Sequence, residues 1–198
     1  GRRANVVNLV RKNTKVFLLL SGKNDFEMLV NKFREAGINH VKISAGYRLS
    51  YPEEKLFTFY LDEFETKLFD LPEGVYTCLI ENEDCEEQIL TPGIDDEIFS
   101  RTKVPMTKNE VRVLSISRLE LTKNAVVYDV GSGTGSVSIE CARLSPDIFV
   151  FAIEQKEEAA NLTKENAVRL GLSDQIVVIN KKAPEGFEEL PTPTHVFI

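Results

Sequence analysis

The run Asp129-Val130-Gly131-Ser132-Gly133-Thr134-Gly135-Ser136 holds the residues whose types and spacing most directly imply chemistry. Glycine lacks the β-carbon that keeps a ligand away from the backbone, so a strand can turn tightly into a helix beneath a bound group. The glycines fall at 131, 133 and 135, whereas the dinucleotide fingerprint wants the third one place later, where this chain has Ser136. Glu154 closes the next apolar run, at the position where a carboxylate accepts both hydroxyls of a ribose. By itself G-x-G-x-G also suits a turn that merely packs helix on strand; Asp129 before it and Glu154 after the following strand point to a ligand. Asp129 either caps and turns the chain or organises the loop.

These residues need a framework to hold them. Thr107-Lys108-Asn109-Glu110 has capping-box spacing, which predicts a helix to about Leu119 with Val111, Leu114 and Ser115 toward a sheet. A strand is expected over 125–130, a helix over 136–144, a strand over 148–153, a helix over 157–170 ended by Gly171, and a strand over 176–179. A final strand begins at His195. Such alternation implies a parallel, doubly wound, Rossmann-like α/β sheet with its crevice at the carboxyl ends of the strands. A sheet ending on the strand at Ile198 would leave an apolar edge, so the domain is expected to continue past it.

Upstream, strands are expected at 16–20, 41–43, 56–60 and 75–80, with a helix from Asp25 to Ala36 that places Phe26, Leu29, Val30 and Phe33 on one stripe. Strand, helix, strand suggests an α/β layer there too. The acidic stretch 81–87 reads as a solvated linker, and Thr91-Pro92-Gly93 as the boundary between a first domain, 1–92, and a second, 93–198.

The net charge of -7 argues against a nonspecific nucleic-acid binder. No apolar run approaches the roughly 20 residues that span a bilayer, and Gly1-Arg2-Arg3-Ala4-Asn5 lacks the apolar stretch of a secretory signal. Cys78, Cys85 and Cys141 fit no zinc spacing, and only His40 and His195 could assist them, so no metal is expected and reduced cytoplasmic thiols are the simpler reading.

The segments Gly93 to Phe99, Lys103 to Arg112, Asp129 to Ile139, Ala183-Pro184-Glu185 and Pro191 to Ile198 resemble the cobalt-precorrin C-15 methyltransferase (decarboxylating) family of CbiT type. Gly1-Arg2, Val16 to Asn24 and Arg48 to Glu54 are similar to the C-terminal subdomain of the CbiE-type tetrapyrrole methylases. Their order is that of the fused precorrin-6Y methyltransferases. The resemblance implies a class I methyltransferase dependent on S-adenosylmethionine (SAM), acting on a precorrin tetrapyrrole in cobalamin biosynthesis and decarboxylating an acetate side chain. It also implies a cytoplasmic homo-oligomer, a tetramer in the CbiT-type family.

By position match, Pro105, Met106 and Thr107 resemble the segment lining the cofactor and substrate pocket, while Gly131, Ser132, Gly133 and Gly135 resemble the methionine-binding loop beside Asp129. Glu154 resembles the ribose ligand, and Ala183 would present its backbone to adenine. Lys182 departs from relatives with an acid there, which removes a side-chain contact to adenine. Thr107 reads equally as a helix cap, Met106 as a core filler, and Lys103 and Arg112 as carboxylate partners or solvated charges. No catalytic base is legible. Two other readings stay open: an RNA methyltransferase, which a basic face would favour, and a non-catalytic interaction module on the same fold.

Overall fold

The computed structural model describes residues 5–64, 70–85 and 91–198, in two compact units, Val6–Gln88 and Ile89–Ile198, the second including Asn5. Gly1-Arg2, with which the upstream resemblance begins, and Glu86-Glu87 of the acidic stretch lie outside the described residues.

In the first unit α1 (Val6–Lys12) leads into β1 (Lys15–Leu20), α2 (Lys23–Glu35), β2 (Val41–Tyr47), β3 (Lys55–Tyr60) and β4 (Tyr76–Asn82). The sheet order is β1-β4-β2-β3, with every neighbouring pair antiparallel. β1 and β2 therefore run the same way across α2, as a strand-helix-strand unit must, but β4 inserts between them. The expected α/β layer is real in its connection and antiparallel in its pairing. Phe26, Leu29, Val30 and Phe33 form the buried stripe of α2 and meet Ile43, Phe59, Tyr76 and Ile80 of the sheet in one core. The acidic stretch does not begin as a loop: Glu81 lies in β4, with Lys15 at 3.6 Å and Lys42 at 3.4 Å, and Asn82 is buried with its amide on the Val10 carbonyl. Lysines on both neighbouring strands draw Glu81 into the sheet.

The second unit contains α3 (Asn109–Leu119), β5 (Val126–Val130), α4 (Ser136–Arg143), β6 (Phe149–Ile153), α5 (Glu157–Arg169), β7 (Ile176–Ile179) and β8 (His195–Phe197). All strand pairs are parallel, in the order β7-β6-β5-β8. The chain moves outward from β5 to β7 and then returns to the other side of β5, so the winding direction reverses at β5. In open parallel sheets a ligand crevice opens at that place, beyond the carboxyl ends of the strands. Val127, Ile139, Ile148, Val150, Ala152 and Ala167 are among the buried residues of the core beneath it. Among the described residues no helix is long and apolar enough to cross a membrane.

Two local expectations are corrected. The helix over 109–119 starts at Asn109 with Lys108 at the cap position and no side-chain cap bond, so Thr107 caps nothing. The Thr107 carbonyl instead accepts Arg112 Nη1 at 2.7 Å. Helix α3 also faces the other way from the expected register: Val111 and Leu114 are 56% and 67% exposed, while Arg112 and Ile116 are buried. The buried partners of Arg112 outweigh burial of two aliphatic side chains.

Candidate functional site

The loop after β5 is stitched to the end of β6. The amides of Gly131 and Ser132 donate to the Ile153 carbonyl at 2.8 and 3.3 Å, and the amide of Gly133 donates to Glu154 Oε2 at 3.1 Å. The other carboxylate oxygen, Oε1, accepts the Lys156 amide at 2.9 Å. Glu154 is thus fixed beside the bend, and each of its oxygens keeps a further lone pair. Gly131 and Gly135 show what the spacing is for. Both have positive φ, +82° and +76°; a β-carbon at Gly131 would meet nothing within 4 Å, whereas one at Gly135 would come within 2.7 Å of Thr163 Cγ2. Gly131 leaves open space, and Gly135 lets helix α5 press against the loop.

A second layer holds the loop from behind. Thr163 Oγ1 donates to the Gly133 carbonyl at 3.0 Å and lies 3.3 Å from Ser132 Oγ. Asp129 is 2% exposed, and its Oδ2 accepts both the amide and hydroxyl of Ser138, at 3.0 and 2.5 Å. Burial pushes the Asp129 carboxyl up to about 6, against the lowering effect of the two Ser138 bonds. Asn166 reaches two places at once: its amide donates to the Thr134 carbonyl at 3.0 Å and the Ser100 carbonyl at 3.1 Å, and its carbonyl accepts the Ser100 amide at 2.7 Å.

Residues 93–107 cross this end of the unit as a strap. Glu140, fully buried, accepts the amides of Gly93 and Ile94 at 2.9 and 2.7 Å and Arg112 Nε at 3.2 Å. Arg112, also fully buried, donates to the carbonyls of Ile94 and Thr107 and to Asp96 Oδ1, the last at 3.1 Å, and its guanidinium lies 4.8 Å from the Phe99 ring centroid. Lys108 and Arg112 hold the Asp96 carboxyl below its ordinary range against the raising effect of desolvation. The strap ends against the loop, where a β-carbon on Gly133 would come within 2.9 Å of the Pro105 carbonyl.

Between strap, loop and strand ends lies a cavity of about 640 Å³. Of the residues singled out from the sequence, Lys103, Pro105, Gly131, Gly133, Glu154, Lys182 and Ala183 line it. Ser132, Gly135 and Asp129 stand behind the loop and shape it. Met106 packs on the hydrophobic core, and Thr107 contributes its carbonyl to Arg112. Sequence reasoning missed Glu140, Asn166 and Thr163 altogether, and it offered Arg112 only as a surface or substrate-facing charge. A faint signal existed for Glu140, which stands in a helix whose other residues up to Ala142 are small or apolar.

A cavity at the winding reversal, a glycine bend and a carboxylate at the adjoining strand end suit a ribose-bearing ligand whose charged end lies near a helix N-terminus. Residues 97–198 match the family described as the precorrin methyltransferase domain. The chain is 47% identical over 110 residues to the probable cobalt-precorrin-6B C(15)-methyltransferase (decarboxylating) of Pyrobaculum calidifontis, covering 54% of this chain and 56% of that protein. It is 46% identical over 90 residues to the cobalt-precorrin-6B C(15)-methyltransferase (decarboxylating) of Salmonella typhimurium, covering 45% of this chain and 46% of that one. The chain thus spans about half the length of the curated relatives it matches. Among solved structures, the precorrin-6Y C5,15-methyltransferase of Geobacter metallireducens superposes with a TM-score of 0.51 at 37% identity, covering 54% of this chain and 55% of that one.

Proposed function

The chain belongs to the precorrin methyltransferase domain family and has the α/β fold of the class I SAM-dependent methyltransferases; from that premise we propose that it contributes the cofactor-binding part of an enzyme that methylates a precorrin macrocycle and decarboxylates an acetate side chain, in cobalamin biosynthesis. The observation that carries this is the Glu154 carboxylate, 3.1 Å from the Gly133 amide at the edge of a cavity onto which Gly131 presents a bare backbone.

The residues present fit SAM. The space beside Gly131 admits a ligand without a side chain in the way, and Glu154 retains acceptor capacity for the two ribose hydroxyls. Gly131, Gly133 and the N-terminus of α4 would take the methionyl end, and the Ala183 backbone the adenine. When bound, SAM supplies a methyl group already activated on a sulfonium. The chain then has to hold the acceptor carbon in line and keep water out, which needs placement more than a side-chain nucleophile. Pro105, at the end of the strap, forms a wall of the cavity and serves that exclusion.

Calorimetry on the complete polypeptide tests the cofactor. Binding of SAM in the micromolar range with no binding of NAD is expected; tight NAD binding without SAM binding would overturn the reading. For the complete polypeptide, transfer of a labelled methyl group to a precorrin with release of carbon dioxide is expected, and transfer to bulk tRNA instead would reassign the substrate. The assignment of residues 1–92 to a CbiE-like subdomain and of 93–198 to the CbiT-like domain rests on the sequence motifs of each half. A cytoplasmic homo-oligomer, a tetramer, is part of the same proposal, and light scattering on the intact protein measures it.

A further inference from the structure

The cavity bearing Gly131, Gly133 and Glu154 is edged by four lysines drawn from three separate segments: Lys103 on the strap, Lys156 before α5, and Lys181 and Lys182 after β7. All four are exposed. They gather in a chain whose overall balance is acidic, with 24 Lys and Arg against 31 Asp and Glu. Two acids share the lining, and both are engaged: Glu154 holds the amides of Gly133 and Lys156, and Glu158 accepts the Thr102 hydroxyl at 2.9 Å. Among the described residues only Lys181 of the four has an ion-pair partner, Glu188 at 3.9 Å.

A cationic sulfonium gains nothing from such an edge. Its neighbour in the cavity does, if that neighbour is an anion. The reaction proposed above releases a carboxylate as carbon dioxide, so its substrate is an acid. Resting on that reading, we infer that Lys103, Lys156 and Lys182 receive the carboxylates of a multiply carboxylated tetrapyrrole, and so select the macrocycle by its acidic side chains and seat it against the cofactor. Lysine fits such a role because a compact charge on a long flexible stem can follow carboxylates spread around a ring, where the fixed fork of arginine suits a single one. The lysines come from different elements and do not lie along one helix face.

The test is a fluorescence titration of the full chain, with SAM present, using uroporphyrin, which bears an acetate and a propionate on every pyrrole, and coproporphyrin, which bears the propionates alone. Tighter binding of uroporphyrin is expected, weakening as salt is raised. The double variant Lys103→Glu/Lys182→Glu should raise the uroporphyrin Kd about tenfold, since exposed pairs are individually weak and here attraction becomes repulsion at two positions. Lys123→Glu, in the turn before β5 and therefore at the opposite end of the sheet, reverses a lysine charge in the same way and should leave that Kd within about twofold. No uroporphyrin binding by the unaltered chain, or equal loss in the Lys123 and rim variants, overturns the inference. Calorimetry with SAM on the same preparations separates the two ideas. Absent SAM binding refutes the cofactor reading, and an unchanged porphyrin Kd in the double variant refutes the lysine edge by itself.

Discussion

Replacing Arg112 by methionine isolates what its buried ion pair does, because methionine keeps the aliphatic stem and removes the donors. Arg112 and Glu140 are both fully buried, and Nε lies 3.2 Å from Oε1. Without the guanidinium, Glu140 keeps the amides of Gly93 and Ile94, and Arg143 at 3.8 Å, but loses its close cation. The carbonyls of Ile94 and Thr107 lose a donor as well. Removing one member of a buried pair costs about 3–5 kcal/mol, because the other charge stays in low dielectric without compensation. Glu140→Gln keeps a carbonyl for the two amides and removes the charge, so Arg112→Met/Glu140→Gln should recover about 2 kcal/mol of that loss. Urea unfolding of the four proteins in the cycle measures this, with hydrogen exchange over residues 93–107 reporting whether the strap is seated. The strap also carries Lys103 and Pro105 to the cavity. If it is seated a tenth of the time, the apparent Kd for SAM rises about tenfold. Destabilisation of Arg112→Met by less than about 1 kcal/mol, with no recovery in the double variant, would refute this account of the pair.

Three further outcomes follow from the same geometry. Glu154→Gln keeps a carbonyl for the Gly133 amide but only one acceptor oxygen, so SAM affinity should fall roughly tenfold or more by calorimetry with little change in melting temperature. Gly131→Ala and Gly135→Ala share the cost of a positive φ, about 1 kcal/mol, and should then diverge. The first pushes a methyl group into open space and should act on SAM binding; the second meets Thr163 Cγ2 at 2.7 Å and should act on thermal stability. Asp129 titrates at about 6 in the folded chain, chiefly through burial, and near its ordinary value of about 3.9 when unfolded. Between those values the folded state holds a proton that the unfolded state has released, so stability falls as pH rises from about 4 to about 6 and is level above that. Asp129→Asn should therefore gain on the parent protein across that window, on the order of 3 kcal/mol by pH 7, and the gain should vanish below pH 4. An offset between the two proteins that is constant with pH would count against it.

The second unit was legible because its signals are local and repeated. Apolar runs of strand length alternate with amphipathic helices, Gly171 ends α5, and the spacing from Gly131 to Glu154 is set by one helix and one strand. What could not be read is the polar interior. Arg112, Glu140, Asn166 and Thr163 lie on helices, where a polar residue ordinarily faces water, and they are buried only because each finds its partners on a segment far away in sequence. Once Arg112 turned inward, helix α3 rotated with it, which is why Val111 and Leu114 face outward against expectation. Thr107 failed as a cap for the same reason, its carbonyl being held by the Arg112 guanidinium. In the first unit the helix stripe was plain, but the insertion of β4 between β1 and β2 depends on long-range pairing that no window of sequence contains.

Asn166 touches Ser100 of the strap and Thr134 of the glycine bend through one side-chain amide group. A molecule that steadies the bend therefore also steadies the strap, and the reverse holds with equal strength, because a free energy of coupling is reciprocal. Two guests sharing this cleft would raise each other's affinity by the same factor. Cooperativity of this kind needs no change of fold, only a bend and a strap that tighten together through one amide.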